Sequence, residues 1–194
     1  MIAADERAFL WLNSLAGRWP ALDRLATLLA SDYLLPVLIA AAAWSLWFLG
    51  RNAQARTAHQ LGFIYAACGA ALANLSIRLL NLAFYRPRPF VALDDVTVVF
   101  YRPTDSSFPS NAAAFAFAMA AGAWLVHRPL GIGIGAAALL YCAARLFVGM
   151  HYPLDMLAGA LFGVLAAYAW HRLFPLVQPF FMFLFRVARA SHAA

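Results

Sequence analysis

The sequence contains no lysine, and charged residues make up only 11% of its 194 positions. A soluble domain normally has about 25% charged residues, so the composition disfavours a soluble globular protein. A disordered chain is excluded, because 65% of the residues are hydrophobic. The composition instead predicts a helical protein embedded in a lipid bilayer.

Cysteine is almost absent as well. Cys68 and Cys142 both lie inside apolar runs, so we expect no disulfide framework. The first charged residues are Asp5 and Glu6, which are not typical of a cleaved signal peptide. The net charge of +6 comes from 14 arginines against eight acids. We interpret it as a signal of membrane topology rather than of nucleic-acid binding.

Five apolar runs are long enough to cross a bilayer. They are residues 33–50, 60–85, 108–126, 129–149 and 153–170. A shorter run, residues 176–187, either extends the last helix past Pro175 or Pro179 or lies in the interface. Charged residues interrupt residues 8–29, which we predict to be amphipathic helices on the membrane surface. The predicted fold class is all-α, an integral membrane bundle of five to six transmembrane helices with an N-terminal interfacial amphipathic segment.

We predict one membrane-embedded domain over residues 1–194. Residues 1–30 form the interfacial segment, residues 33–176 the transmembrane core and residues 177–194 the tail. One face of the bundle carries six arginines and no acid, so the positive-inside rule makes that face cytoplasmic. These arginines are Arg51, Arg56, Arg128, Arg172, Arg186 and Arg189.

Two polar clusters lie on the opposite, outer face. At the end of the second run, Arg86 and Arg88 alternate with prolines that stop the helix. At the start of the third run, Ser110 and Asn111 follow Pro109. A helix that begins there offers free backbone N–H groups to an anion.

A third polar cluster joins the fourth and fifth runs and contains Arg145, His151 and Asp155. Arginine suits phosphate binding, because its guanidinium is bidentate and permanently charged. Since all three clusters lie on the predicted outer face, we expect them to form one anion site at the membrane surface.

The three clusters resemble the signature of the type 2 phosphatidic acid phosphatase superfamily, which reads Lys-x6-Arg-Pro, Pro-Ser-Gly-His and Ser-Arg-x5-His-x3-Asp. The matching residues are Arg88-Pro89, Pro109-Ser110, Arg145, His151 and Asp155. Flanking residues are similar to the bacterial undecaprenyl-diphosphatase branch. The resemblance implies an integral membrane lipid phosphatase that needs no metal or other cofactor. Its partners would be a lipid phosphate or diphosphate and membrane lipids, without nucleic acid or an obligate protein partner.

The resemblance also implies a role for each residue. His151 would attack phosphorus and form a phosphohistidine. Asp155 would hold its imidazole in the reactive tautomer. The residues that would bind the phosphate are Asn81, Arg88, Ser110, Asn111 and Arg145. Arg78 and Arg86 are candidate headgroup contacts.

Three positions depart from the signature. Asn81 stands where the family has lysine, although Arg78, one helical turn earlier, can supply a charge. Ala144 replaces a serine of secondary importance. Ala112 replaces the histidine that protonates the leaving oxygen, and a methyl group cannot transfer a proton.

Ala112 has three interpretations. A lipid diphosphate expels a lipid phosphate, which is a far weaker base than the alkoxide of a phosphomonoester and needs little acid catalysis. Alternatively, Ala112 is an engineered substitution that traps a complex. In the third interpretation, the chain is a relative that binds a lipid phosphate without hydrolysing it.

The predicted function is dephosphorylation of a polyprenyl diphosphate, with undecaprenyl diphosphate giving undecaprenyl phosphate and phosphate. The predicted location is the bacterial inner (plasma) membrane, with the site facing the periplasm. Phosphatidylglycerol phosphate, phosphatidic acid and lipid A are further candidate substrates. The chain could also be a lipid phosphotransferase, or a non-catalytic lipid-phosphate binder or transporter. A binder could lose the acid at Ala112 without penalty, whereas a phosphomonoesterase could not.

Overall fold

A computed structural model describes residues 2–191, with side chains placed for residues 4–180 and 183. The side chains of Arg186 and Arg189, which contributed to the predicted orientation, lie outside the described residues. The helices are α1 (Ile2–Asn13), α2 (Pro20–Ala30), α3 (Leu34–Trp44), α4 (Ala53–Leu80), α5 (Pro89–Ala92), α6 (Asn111–Trp124), α7 (Arg128–Phe147) and α8 (Pro153–Ser191). The described residues contain no strand, so the all-α fold class is confirmed.

Helix α6 lies at the centre of the bundle and packs against α4, α7 and α8. Its many alanines allow close approach of these helices. Two glycines of α8 lie against its backbone. A Cβ atom on Gly159 would lie 2.3 Å from the carbonyl oxygen of Ser110, and one on Gly163 would lie 2.2 Å from that of Ala114. These contacts fix the beginning of α8 beside the N-terminus of α6.

Three helical segments are long and apolar enough to cross a membrane: α4, α7 and residues Pro153–Phe180 of α8. Helix α2 and the segment Leu34–Phe48 are bent by 47° and add a fourth span if they cross together. Helix α6 has only 14 residues, because Ser110 caps its start and its last helical residue is Trp124. The predicted count of five to six spans is therefore not confirmed.

The N-terminal segment, predicted as amphipathic helices on the membrane surface, forms α1 and α2. Helices α1 and α2 contact α7, and α1 also contacts α8. The buried Asn13 side chain donates to the carbonyl of Thr97 at 2.8 Å and to that of Phe147 at 3.1 Å. Helix α1 is thus attached to the end of the bundle that carries the polar clusters. The placement of residues 1–30 on the membrane surface is not confirmed.

The last apolar run continues α8 through Pro175 and Pro179, which is one of the two expected outcomes. Each proline removes one backbone N–H donor, and helices of membrane proteins tolerate this loss inside their length.

Candidate active site

The three predicted polar clusters meet at one end of the bundle, around a cavity of about 350 Å³. The predicted residues that line the cavity are Arg88, Asn111, Arg145 and His151, together with the altered position Ala112. The structure adds other polar residues to the lining, which are Asp32, Asn74, Tyr101, Asp105, Ser106 and Tyr141.

His151 lies buried between α7 and α8. Its Nδ1 atom is 2.9 Å from the backbone carbonyl oxygen of Ser107. Because a carbonyl can only accept a hydrogen bond, this contact places the imidazole proton on Nδ1. The Nε2 atom then carries the lone pair, which accepts from the Nη1 donor of Arg88 at 3.1 Å. This tautomer leaves Nε2 as the unprotonated nitrogen of the ring.

The surroundings of His151 keep its imidazole neutral. Burial lowers the pKa of His151 well below its ordinary value of 6.5, and the positive charges of Arg88 and Arg145 lower it further. The neutral ring is the form that can attack an electrophilic phosphorus atom.

Asp155 reaches His151 indirectly. Its Oδ2 atom is 3.9 Å from Nδ1 of His151, which is too far for a hydrogen bond. Oδ2 accepts instead from the Ser107 hydroxyl at 2.5 Å and from the backbone N–H of Tyr152 at 2.9 Å. Asp155 lies in the first turn of α8, where its carboxylate binds the start of its own helix. A contact through Ser107 therefore replaces the predicted direct pair of histidine and aspartate.

Arg88 is buried and held on several sides. It precedes Pro89, which favours the extended backbone that Arg88 adopts. Its Nη1 atom donates to the carbonyl of Met150 at 2.9 Å, and its Nη2 atom donates to Oδ1 of Asp105 at 2.8 Å. The guanidinium thus faces His151 in one fixed orientation.

Arg145 lies in the last turn of α7 and is equally buried. Its Nη1 atom donates to Oδ1 of Asp32 at 2.6 Å and to the hydroxyl of Tyr141 at 2.8 Å. Its Nε atom is buried and has no partner in the described part of the chain. That donor remains for a bound ligand.

The carboxylates that pair with the two cavity arginines are themselves accessible, with side chains 45% exposed for Asp32 and 63% for Asp105. A phosphate can compete for the same guanidinium donors, because it offers oxygens of the same charge. Sequence analysis did not select either acid. Asp32 is 113 positions from Arg145, and no local pattern indicates such a pair.

Ser110 and Asn81 do not line the cavity. The Ser110 hydroxyl accepts from the backbone N–H of Ala113 at 3.3 Å and so caps α6. Asn81 ends α4, and its buried Oδ1 atom has no hydrogen-bond partner among the residues that the structure describes. The structure therefore does not bring these two predicted phosphate ligands to His151.

Arg86 is not on the cavity either. Its Nη1 atom donates to Asp155 at 2.6 Å, its Nη2 atom donates to Asp5 at 2.7 Å, and it stacks over the ring of Tyr152. Burial lowers the pKa of Arg86, but the two carboxylates raise it by more, so the side chain stays charged. Arg86 therefore forms two internal ion pairs, and its role as a headgroup contact stays a prediction. Asp5, 81 positions away, is a site residue that sequence analysis missed.

Arg78 lies on a neighbouring cavity of about 430 Å³. Asn74 and Asn111 line both this cavity and the one that contains His151. The two cavities are therefore adjacent, with Arg78 on the side away from the imidazole.

These residues form a site that can bind an anion beside an imidazole. Two fixed arginines can neutralise the oxygens of a bound anion, and the unprotonated Nε2 atom of His151 lies beside Arg88. In the described residues, no three His, Cys, Asp or Glu side chains are grouped closely enough to hold a metal ion.

Residues 57–179 match the sequence model of the PAP2 superfamily. The chain belongs to the PAP2 superfamily. This assignment confirms the resemblance to type 2 phosphatidic acid phosphatases that the motifs indicated. The match leaves α1, α2 and α3 outside its limits.

Two related sequences and one solved structure extend the comparison. The PAP2 chain is 31% identical over 147 residues to undecaprenyl-diphosphatase BcrC of Bacillus subtilis (strain 168), covering 75% of this chain and 72% of that protein. It is 29% identical over 160 residues to bacitracin transport permease protein BcrC of Bacillus licheniformis, covering 82% and 75%. The crystal structure of Aquifex aeolicus LpxE is similar with a TM-score of 0.65 and 26% identity, covering 86% and 93%. The protein is a membrane-embedded lipid phosphatase of this superfamily, as its sequence predicted.

Proposed function

We propose that this PAP2 protein removes the terminal phosphate of a polyprenyl diphosphate, of which undecaprenyl diphosphate is the best candidate. The observation that carries the proposal is the neutral imidazole of His151, whose Nε2 atom faces Arg88 in a cavity that Arg145 also lines. The name of the Bacillus subtilis relative supports the substrate class.

In the first step, Nε2 of His151 attacks the terminal phosphorus. A phosphorus–nitrogen bond forms, and the bond from phosphorus to the bridging oxygen breaks. The bridging oxygen leaves on polyprenyl phosphate with the bonding electron pair. Arg88 and Arg145 stabilise the charge on the phosphoryl oxygens, while the Nδ1 proton remains in its hydrogen bond to Ser107.

In the second step, water attacks the phosphorus of the phosphohistidine. The phosphorus–nitrogen bond breaks, and its electron pair returns to Nε2 of His151. The protons of the water pass to the released phosphate and to solvent. One water is consumed for each inorganic phosphate, and the imidazole returns to its starting tautomer.

Ala112 favours a diphosphate over a phosphomonoester. Its methyl group lines the cavity where the family has an acid. General acid catalysis contributes about 10²–10⁴-fold, and a monoester that must expel an alkoxide loses that contribution. A departing polyprenyl phosphate holds its charge without protonation, so the missing acid costs a diphosphatase little.

The cavity beside Arg78 can hold the phosphate that stays with the lipid. It adjoins the cavity of His151 through Asn74 and Asn111. Arg78 forms no hydrogen bond or ion pair with another residue of the described chain, so its charge is available to a ligand. It would stabilise the negative charge that accumulates on the leaving phosphate.

The arginine distribution supports a site at the outer, periplasmic face of a bacterial inner membrane. Arg51 precedes α4, and Arg56 lies in its first turn. Arg128 is the first residue of α7. These three arginines therefore lie at the helix ends remote from His151. The polyprenyl tail would remain in the bilayer while its headgroup enters the cavity from the side.

The test measures phosphate release by the purified protein in detergent and EDTA, from undecaprenyl diphosphate and phosphatidic acid in parallel. We expect release from the diphosphate, little from phosphatidic acid, and none from the diphosphate in His151→Ala. Equal rates with both lipids would contradict the diphosphate preference. Undiminished release in His151→Ala would contradict its role as the nucleophile.

A non-catalytic lipid-phosphate binder or transporter is the second candidate. Ala112 favours it, and one relative is named a bacitracin transport permease protein. It predicts that undecaprenyl diphosphate binds but is not hydrolysed, and that Ala112→His does not create hydrolysis. Recovery of hydrolysis in that variant would indicate an inactivated enzyme instead.

A further inference from the structure

Helix α1 contributes directly to the segment that contains the active-site histidine, although it lies outside the matched residues 57–179. Asp5 of this helix is only 5% exposed, and its Oδ1 atom accepts from the backbone N–H of Leu154 at 2.9 Å. Phe9, one helical turn later, packs edge-to-face against the ring of Tyr152. Two side chains of α1 therefore support the turn into α8.

Arg86 connects α1 to the carboxylate behind the histidine. Its Nη2 atom is 2.7 Å from Oδ2 of Asp5, and its Nη1 atom is 2.6 Å from Oδ1 of Asp155. One face of the guanidinium lies over the ring of Tyr152, 4.0 Å from its centroid. The two ion pairs and the aromatic ring fix the guanidinium in one orientation.

The burial of Asp155 explains why such a connection is needed. Its side chain is completely buried, and a buried carboxylate is stable only when it is paired and fully hydrogen-bonded. Ser107 and Tyr152 donate hydrogen bonds to Oδ2 of Asp155, whereas Arg86 donates to Oδ1. Asp5 holds the other edge of Arg86 and so keeps the guanidinium beside Asp155.

We propose that Asp5 and Arg86 are positioning residues for the phosphoryl transfer. Arg86 holds the carboxylate of Asp155, and Asp5 holds Arg86 in that orientation. The carboxylate in turn fixes Ser107, whose carbonyl accepts a hydrogen bond from the Nδ1–H group of His151. This inference rests on the proposed function, in which His151 is the nucleophile, and it makes α1 a part of the active site.

The test compares Asp5→Asn with Glu6→Gln. Glu6 is the adjacent acid of α1 and forms no hydrogen bond or ion pair with other described residues. The rate constant of phosphohistidine formation is measured per folded active site with radiolabelled undecaprenyl diphosphate, together with KM and Tm. We expect Asp5→Asn to slow this step by about 10²-fold, as small misplacements of reacting groups do, with KM unchanged. Glu6→Gln should react at the wild-type rate.

Arg86→Gln is the second test variant in the same measurement of phosphohistidine formation. Residues that act in series are not additive, so the double variant with Asp5→Asn should be no slower than Arg86→Gln alone. If Asp5→Asn does not yield folded protein, Asp5→Glu and Arg86→Lys replace it, because both keep the charge and change the geometry. We expect both to show the slowed step.

A purely structural role would lower Tm and leave the rate per folded site unchanged, and that result would overturn the positioning role. An equal loss of rate in Glu6→Gln would overturn it as well. His151→Ala separates this inference from the proposed function. Phosphoprotein that still forms in His151→Ala contradicts the proposed function, whereas its absence there with a normal rate in Asp5→Asn contradicts only the positioning role.

Discussion

His151 and Ser107 are joined by a hydrogen bond of 2.9 Å from the imidazole Nδ1 to a backbone carbonyl oxygen. The main chain therefore sets the tautomer of His151. The neighbouring carboxylate of Asp155 makes no direct hydrogen bond to the imidazole, since its Oδ2 atom lies 3.9 Å from Nδ1, and it contacts Ser107 and the backbone N–H of Tyr152 instead.

This arrangement predicts that Asp155→Asn is less damaging than His151→Ala. The carbonyl of Ser107 remains in the asparagine variant, although its position is held less firmly. We expect kcat to fall by about 10²-fold with KM nearly unchanged, and no measurable turnover in His151→Ala. Steady-state phosphate release from undecaprenyl diphosphate checks this. Complete inactivity of folded Asp155→Asn would indicate a direct role for the carboxylate.

The lowered pKa of His151 predicts the acid limb of the pH profile. The neutral imidazole is the active form, so activity is lost only as the pH falls through the lowered pKa. The limb of kcat/KM that His151 sets should therefore lie below pH 6.5. Arg145→Gln removes a positive charge that lowers this pKa, so the limb should move to higher pH.

The ionisation of the substrate is the same for the wild-type protein and Arg145→Gln, so the difference between their pH profiles comes from groups of the protein. Arg128→Gln is the control, because Arg128 is an exposed arginine at the other end of α7. A limb that stays in place in Arg145→Gln would show that this charge does not act on the imidazole.

Ala112→His should change the substrate preference. The new imidazole would lie on the cavity, where it can protonate an alkoxide leaving group. We expect hydrolysis of phosphatidic acid to rise by about 10²-fold or more, with a much smaller change for undecaprenyl diphosphate. Parallel kcat/KM values for the two lipids provide the measurement. An equal increase in kcat/KM for both lipids would show that the leaving group does not determine the substrate preference.

Arg78→Gln should weaken the use of diphosphates specifically. A charged hydrogen bond contributes about 1.5–3 kcal/mol, so we expect kcat/KM for undecaprenyl diphosphate to fall by about tenfold or more. A short-chain monophosphate substrate should be affected little, because it does not reach the cavity of Arg78. Arg56→Gln, at the opposite end of α4, is the matched control. Equal losses of kcat/KM for both substrates would show that Arg78 does not bind the phosphate that stays with the lipid.

The motifs predicted the residues that the chain places at helix ends. Arg88, Arg145 and His151 each lie next to a break in an apolar run, and the structure brings all three to one cavity. Helix ends on one face of a membrane bundle can approach each other, and on this basis run length and arginine distribution predicted that these residues come together.

The acids that orient the arginines were not predictable in the same way. Asp5 lies 81 positions from Arg86, and Asp32 lies 113 positions from Arg145. Such pairs depend on how α1 and α2 pack on α7 and α8. The local periodicity of the sequence does not indicate this packing. The length of α6 was overestimated, because the apolar run of residues 108–126 extends past both ends of the helix, which begins at Asn111 and ends at Trp124.

The most direct test of the account traps the covalent intermediate. The unmodified chain, with Ala112 in place, is mixed with undecaprenyl diphosphate labelled at its terminal phosphate and is quenched in alkali, where phosphohistidine is stable. The account predicts label on His151 within a single turnover, and no label on His151→Ala. Phosphate release without labelled protein, or label on another residue, would contradict it.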